Sequence, residues 1–333
     1  MTDRQINRWL RRRFSAIGWL LILYYGLMTL LTSVTAATDA ASQQLWNMAA
    51  GDFSASLDWN RINSNAWGYI AAIAVGFAIL DAWKGRDFWK QEVLVKTAPM
   101  KGKTFFCMML FCMGAQMVNS LWITLLELML APFGKSVMPI LEAVSGDTDS
   151  FSMFLYAGFL APLWEEILFR GYVLRTLRPF GKRFAILGSA LLFGIFHGNL
   201  LQTPYAVLMG LVLGYLTVEY SIHWALLLHL FNNLVLADLL TRLTAQWPEM
   251  AFGMLNLVLF GGSALASLVI LIRNRAGVRA YRKSEWMCSS LVRHQRLSSS
   301  FRLRISLLTQ RSRLTRRCTT TTVLTTCVAT AAW

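Results

Sequence analysis

The chain has 333 residues, of which 56% are hydrophobic and only 15% charged, with a mean hydropathy of +0.47 and a formal net charge of +15. A charged fraction so far below the roughly 25% of soluble domains, in long uncharged runs broken by short charged ones, excludes one large soluble core and points to a polytopic membrane protein. The positive balance reads as a bias of the cytoplasmic loops plus a basic tail, so nucleic acid is not expected as a partner.

The predicted fold is all-α, a transmembrane helical bundle of about eight spans. The first apolar run covers residues 14–34 and follows Arg4, Arg8, Arg11, Arg12 and Arg13. Val34-Thr35-Ala36 would pass as a signal-peptide cleavage site, but the run is too long for a typical signal core and is read as a retained helix. Further runs follow at 66–82, 105–132, 151–175, 184–201, 205–220, 222–240 and 251–272. Each approaches or exceeds the roughly 20 residues that cross about 30 Å of hydrocarbon, the shorter ones as tilted or partly re-entrant partners. Among the 13 Trp, residues Trp67, Trp83, Trp89 and Trp224 stand at run ends, as in an interfacial aromatic belt.

Lysine and arginine set the expected orientation. Asp39, Asp52 and Asp58 with the single Arg61 place the first loop outside, and Lys84, Arg86, Lys90, Lys96, Lys101 and Lys103 place the second inside. Residues 134–150 are acidic and external; Arg175, Arg178, Lys182 and Arg183 return the chain to the cytoplasm; Arg273, Arg275, Arg279, Arg282 and Lys283 put its exit there too. Eight spans with both termini cytoplasmic satisfy every loop. Three parts follow: N-terminal helices at 1–150, a helical core at 151–273, and a basic Ser/Thr/Arg-rich tail at 274–333. From 284 onward Glu285 is the one acid, so this stretch is expected to be a disordered basic tail or out-of-frame sequence. The five cysteines are odd in number and lack CxxC spacing, which indicates neither a disulfide framework nor a zinc knuckle.

The chemistry concentrates in three later runs. Residues 161–171 read APLWEEILFRG, and carboxylates at membrane depth are expensive and rare without a task. Glu166 and Arg170 are four apart and share a helical face, so they can pair. Glu165 lies about 100° round the helix and is free for another partner. On this motif alone, a buried Glu–Arg clamp between helices is a competing reading. Pro162 just upstream frees a backbone carbonyl and could open the helix to water. Phe193 and His197 form FxxxH, with Gly194 and Gly198 permitting close helix approach. His229 and Asn233 form HxxxN. Either pair alone could be a packing or interhelical hydrogen-bond feature. Of the four histidines, however, two fall in apolar helices with one polar face each, whereas His223 lies at an interface and His294 in the tail. At about 1.5 Å per residue, Glu165, His197 and His229 lie roughly 15, 20 and 10 Å from the cytoplasmic ends of their helices. A carboxylate and an imidazole there could activate water, while a second imidazole and an amide stabilise an oxyanion. Zinc held by Glu165, His197 and His229 is the competing role, although HExxH is absent.

EExxxR, FxxxH and HxxxN, in that order on successive hydrophobic helices, resemble the CAAX-protease and bacteriocin-processing (CPBP, or Abi) family, which includes the eukaryotic Ras-converting CAAX endopeptidase. The resemblance covers about residues 151–240. It implies that Glu165 and His197 activate water, that His229 and Asn233 form the oxyanion site, and that Glu166 and Arg170 hold and orient the helix. It leaves open a zinc enzyme or a metal-free glutamate mechanism, and it names no substrate. The expected function is an intramembrane endopeptidase acting on a membrane-associated protein or peptide, in a bacterial plasma membrane, with its site open to the cytoplasm. A non-catalytic immunity or scaffold protein is the first alternative. A proton-coupled transporter is the second, against which stands the lack of an inverted repeat.

Overall fold

The computed structural model describes residues 3–145, 150–277 and 279, and among these every regular element is helical. The proposed tail from 284 onward lies outside the described residues. The eight apolar runs each become a helix: α1 (Asp3–Ala49), α2 (Trp67–Phe88), α3 (Gly102–Leu130), α4 (Phe151–Phe180), α5 (Lys182–Phe196), α6 (Thr203–Glu219), α7 (Ile222–Thr244) and α8 (Glu249–Arg273). Six of them, all but α5 and α6, are long and apolar enough to cross a membrane. With 15 and 17 residues, α5 and α6 reach only about 23 and 26 Å, short of a full hydrocarbon core. The run predicted to continue to residue 201 stops at Phe196 because the chain turns there, with Gly198 at φ +69°, a conformation that favours glycine. Gly198 therefore serves a turn rather than the close helix approach expected of it.

α1 extends well past the predicted run. No Gly or Pro interrupts residues 27–49, so nothing stops the helix where its hydrophobicity fades. At 47 residues it is about 70 Å long. It is packed into the fold: Ile17 and Tyr24 are buried, and the Arg13 guanidinium donates to the Thr176 carbonyl at 3.1 Å.

α4 is the hub. Trp164, Leu168, Phe169, Arg170 and Tyr172 are all enclosed. Tyr24 of α1 tilts against Trp164 with ring centroids 5.1 Å apart. α2 crosses the same indole at Gly76, where a Cβ would stand 2.8 Å from the ring. On the other side Phe169 meets Phe193 and Phe196 of α5 edge-on, at 5.2 and 5.4 Å. A second core joins α3, α6 and α7 through Cys112, Met209, Leu213, Leu216 and Leu228. Small residues allow the tight crossings, as they do where lipid gives helices no hydrophobic reason to associate. A Cβ on Gly114 would lie 2.9 Å from the Ala264 Cα of α8, and one on Gly210 would lie 3.0 Å from the Ala190 Cα of α5. The outward faces of α1 and α8 carry exposed Trp19, Leu23, Leu30, Leu257, Val258 and Leu265, which suits lipid. Composition and helix length together make this an integral membrane protein.

Candidate active site

A proline begins the construction of the site. In α4 the turn Tyr156–Leu160 is widened, so that the Ala161 amide donates to the Tyr156 carbonyl five residues back. In this register the Ala157 carbonyl would take the amide of residue 162, but that residue is Pro162 and has no N–H. A side chain fills the gap: Asn233 of α7 donates Nδ2 to the Ala157 carbonyl at 2.9 Å. The helix stays continuous through Pro162, so the proline does not break it open; its freed carbonyl fixes a side chain of the facing helix. α4 and α7 are widened again at Glu166–Val173 and Phe231–Leu239, and such loosened turns recur at functional sites.

One turn further along α4, both carboxylates converge on the same imidazole. Glu166 Oε1 lies 2.9 Å from His229 Nδ1, and Glu165 Oε2 lies 3.6 Å from His229 Nε2. The expectation that the two glutamates take separate partners is thus corrected, because the opposite edges of one ring span the angle between them. Their surroundings differ. Glu166 is 1% exposed and sits 3.0 Å from Arg170 Nη1, whereas Glu165 keeps 20% of its side-chain surface. Arg170 is wholly buried. Its ion pair with Glu166 lacks hydrogen-bond angles and its guanidinium nitrogens find no acceptor, but the group lies over the Phe193 ring at 4.2 Å. A cation there gains from the ring's negative face.

Protonation states follow from these contacts. Paired with a guanidinium, Glu166 accepts from His229, so Nδ1 carries a hydrogen. His229 Nε2 then faces Glu165 Oε2 at 3.6 Å, just beyond hydrogen-bond length. His197 caps the end of α5 with Nδ1 2.9 Å from the Phe193 carbonyl. A carbonyl can only accept, so Nδ1 donates and Nε2 is left for another partner. Phe193 stands edge-on to both histidines, 4.9 Å from His197 and 5.9 Å from His229. Among the described residues His197 makes no ion pair with either glutamate. Glu165, Glu166, Arg170 and His229 are thus in direct contact, Asn233 is anchored to the same stretch of α4, and His197 joins them through Phe193.

Residues that sequence reasoning passed over support this group. The Tyr205 hydroxyl of α6 donates to Asn232 Oδ1, and Asn232 Nδ2 donates to Asn233 Oδ1 at 3.0 Å. Asn233 therefore spends its oxygen on Asn232 and one amide hydrogen on Ala157, which leaves its second hydrogen. Tyr24 packs on Trp164, next to Glu165, and Tyr156 stacks on Tyr69 at 4.7 Å in the widened turn before Pro162. Asn232 was legible beside Asn233, but nothing in the sequence singles out three tyrosines among nine.

In the competing zinc reading the ligands would be Glu165, His197 and His229. Among the described residues no three His, Cys, Asp or Glu side chains are grouped to hold a metal ion, and His229 turns both its nitrogens to carboxylates.

Residues 147–235 match the family model described as type II CAAX prenyl endopeptidase Rce1-like. No curated protein and no solved structure matches the chain. The matched segment contains Glu165, Glu166, Arg170, His197, His229 and Asn233, so it holds both carboxylates, the imidazole between them and the amide anchored beside Pro162. The match supports the resemblance of this segment to the CAAX-protease and bacteriocin-processing family.

Proposed function

We propose that the protein is an intramembrane endopeptidase that cleaves a membrane-associated protein or peptide, of CAAX type or bacteriocin-processing type, using water activated by Glu165 and His197. One observation carries the reading. Glu165 and Glu166 meet His229, more than sixty residues away, at 3.6 and 2.9 Å inside a helical bundle. Buried charges gathered at such cost usually mark a working site.

The division of labour follows from exposure and hydrogen bonding. Glu166 and Arg170 are enclosed and hold His229 by Nδ1. Glu165, the accessible carboxylate, takes one proton as water oxygen bonds to the scissile carbonyl carbon, while the Nε2 lone pair of His197 accepts a hydrogen bond from the same water and orients it. The oxyanion so formed receives hydrogen bonds from His229 Nε2–H and the remaining Nδ2 hydrogen of Asn233. Collapse breaks the C–N bond, and the proton taken from water passes to the leaving amine. No step is routed through a metal.

The wider setting belongs to the same proposal. Eight spans with both termini cytoplasmic, α5 and α6 being a short tilted pair, open the site to the cytoplasmic side of a bacterial plasma membrane. Residues 151–273 form the catalytic core, 1–150 its N-terminal helices and 274–333 a basic tail. The test is cleavage of a membrane-associated reporter peptide by purified protein in liposomes. Comparing wild type with and without chelator separates a zinc enzyme from a metal-free one, and Glu165→Ala should abolish turnover while the unfolding temperature holds. Undiminished cleavage by Glu165→Ala would overturn the assignment.

A further inference from the structure

At the end of α4 beyond the glutamates, cations from three helices gather where little acid faces them. Arg13 of α1 reaches across to the Thr176 carbonyl and lies 4.6 Å over the Trp9 ring. Lys84 of α2 is held between two aromatic faces, 4.6 Å from the Trp83 ring and 4.7 Å from that of Tyr172. Gly85, at φ +70°, breaks the helix directly after it, so the following segment turns away and leaves the ammonium beside α4. Arg175 of α4 completes the group. Its Nε and Nη2 are enclosed with no hydrogen-bond partner. Tyr172 and Thr176, which Lys84 and Arg13 touch, are four residues apart on α4 and flank Arg175. The acid within range of both Lys84 and Arg175 is the exposed Glu92.

Arg13, Lys84 and Arg175 are each half-buried. Cations withdrawn from water need compensation, and orphaned guanidinium donors in an enclosed place call for an acceptor. Among the described residues, one exposed carboxylate against Arg13, Lys84 and Arg175 leaves a surplus of positive charge. A phosphate oxygen answers both needs, since it accepts from the planar fork of arginine and from a lysine ammonium held as a point charge. The position indicates the source. The group lies at the ends of apolar helices, flanked by exposed Trp83 and Phe14, the aromatic level at which lipid headgroups sit.

We propose that Arg13, Lys84 and Arg175 form a binding site for the phosphate of an acidic membrane lipid, distinct from the peptide-cleaving group. The inference does not rest on proteolysis. Full-length protein in a zwitterionic detergent should retain phosphatidylglycerol over phosphatidylcholine by native mass spectrometry and unfold at higher temperature with it, whereas inorganic phosphate at the same concentration should give no shift. Arg175→Gln and Lys84→Gln should each weaken phosphatidylglycerol retention about fivefold, the worth of one basic residue at a lipid surface. Lys101→Gln, which removes the same charge from an exposed position, should leave retention unchanged. Equal retention of the two lipids by wild type overturns the site, a result that needs no variant to fold. A shift with inorganic phosphate as large as that with lipid overturns the lipid assignment. Equal losses in Lys101→Gln and the two site variants reduce the effect to overall charge and overturn it as well.

Discussion

Glu165 and Glu166 are neighbours in sequence yet differ in what removing each should do. Glu166 is shut between Arg170 and His229, so Glu166→Gln leaves a buried guanidinium without its counter-charge. The variant is expected to lose about 3–5 kcal/mol of stability, readable in reversible unfolding in mixed micelles. Glu165 is the carboxylate with exposed surface. Glu165→Gln should unfold close to wild type while its turnover falls about 10²–10⁴-fold, the range for a lost general base. If Glu165→Gln destabilised as much as Glu166→Gln, the two would form one structural clamp. Tyr205→Phe removes the hydroxyl that orients Asn232 and through it Asn233. It should lower kcat about fivefold, near the worth of one hydrogen bond of about 1 kcal/mol, with little change in KM. The EExxxR and HxxxN spacings could be read from the sequence because a helix brings residues four apart onto one face. The Tyr205–Asn232–Asn233 chain could not, because it joins two helices and no local pattern specifies which tyrosine lies beside which amide.

At the level of single helices, α4 and α7 are shaped by what Pro162 lacks. Pro162→Ala restores an amide N–H that can bond to the Ala157 carbonyl and displace Asn233. The variant should gain up to about 1 kcal/mol in stability and lose activity, a combination that comparing unfolding with turnover would reveal. A fall in both would mean that Pro162 only packs. The α5–α6 crossing makes a contrasting case. A Cβ on Gly210 would lie only 3.0 Å from the Ala190 Cα, so Gly210→Val should cost about 1–3 kcal/mol by overpacking, measured by the same unfolding assay. That a proline frees a carbonyl was legible beforehand. Which partner would claim it was not, since Asn233 comes from α7, 76 residues further along the chain. The limits of α1 and α5 were likewise missed. A hydropathy run reports where lipid-compatible residues cease, whereas a helix ends only where backbone geometry stops it, as at Gly198 and not at residue 34.

For the molecule as a whole, the orientation read from lysine and arginine is open to direct test. Single cysteines introduced near Arg61 and near Lys101, in a background lacking the native five, should react with an impermeant reagent from opposite sides of intact cells. Labelling of both from one side would overturn the proposed topology. The sequence by itself determined that the chain is helical, apolar and membrane-embedded, and which three helices carry polar faces. Those properties depend on composition and on spacing within about four residues. Only the tertiary structure decided that two glutamates share one histidine, that Asn233 answers the proline, and that His197 stands across Phe193 from its counterpart. Each joins segments dozens of residues apart, and their distance is set by how small and aromatic side chains let the helices cross.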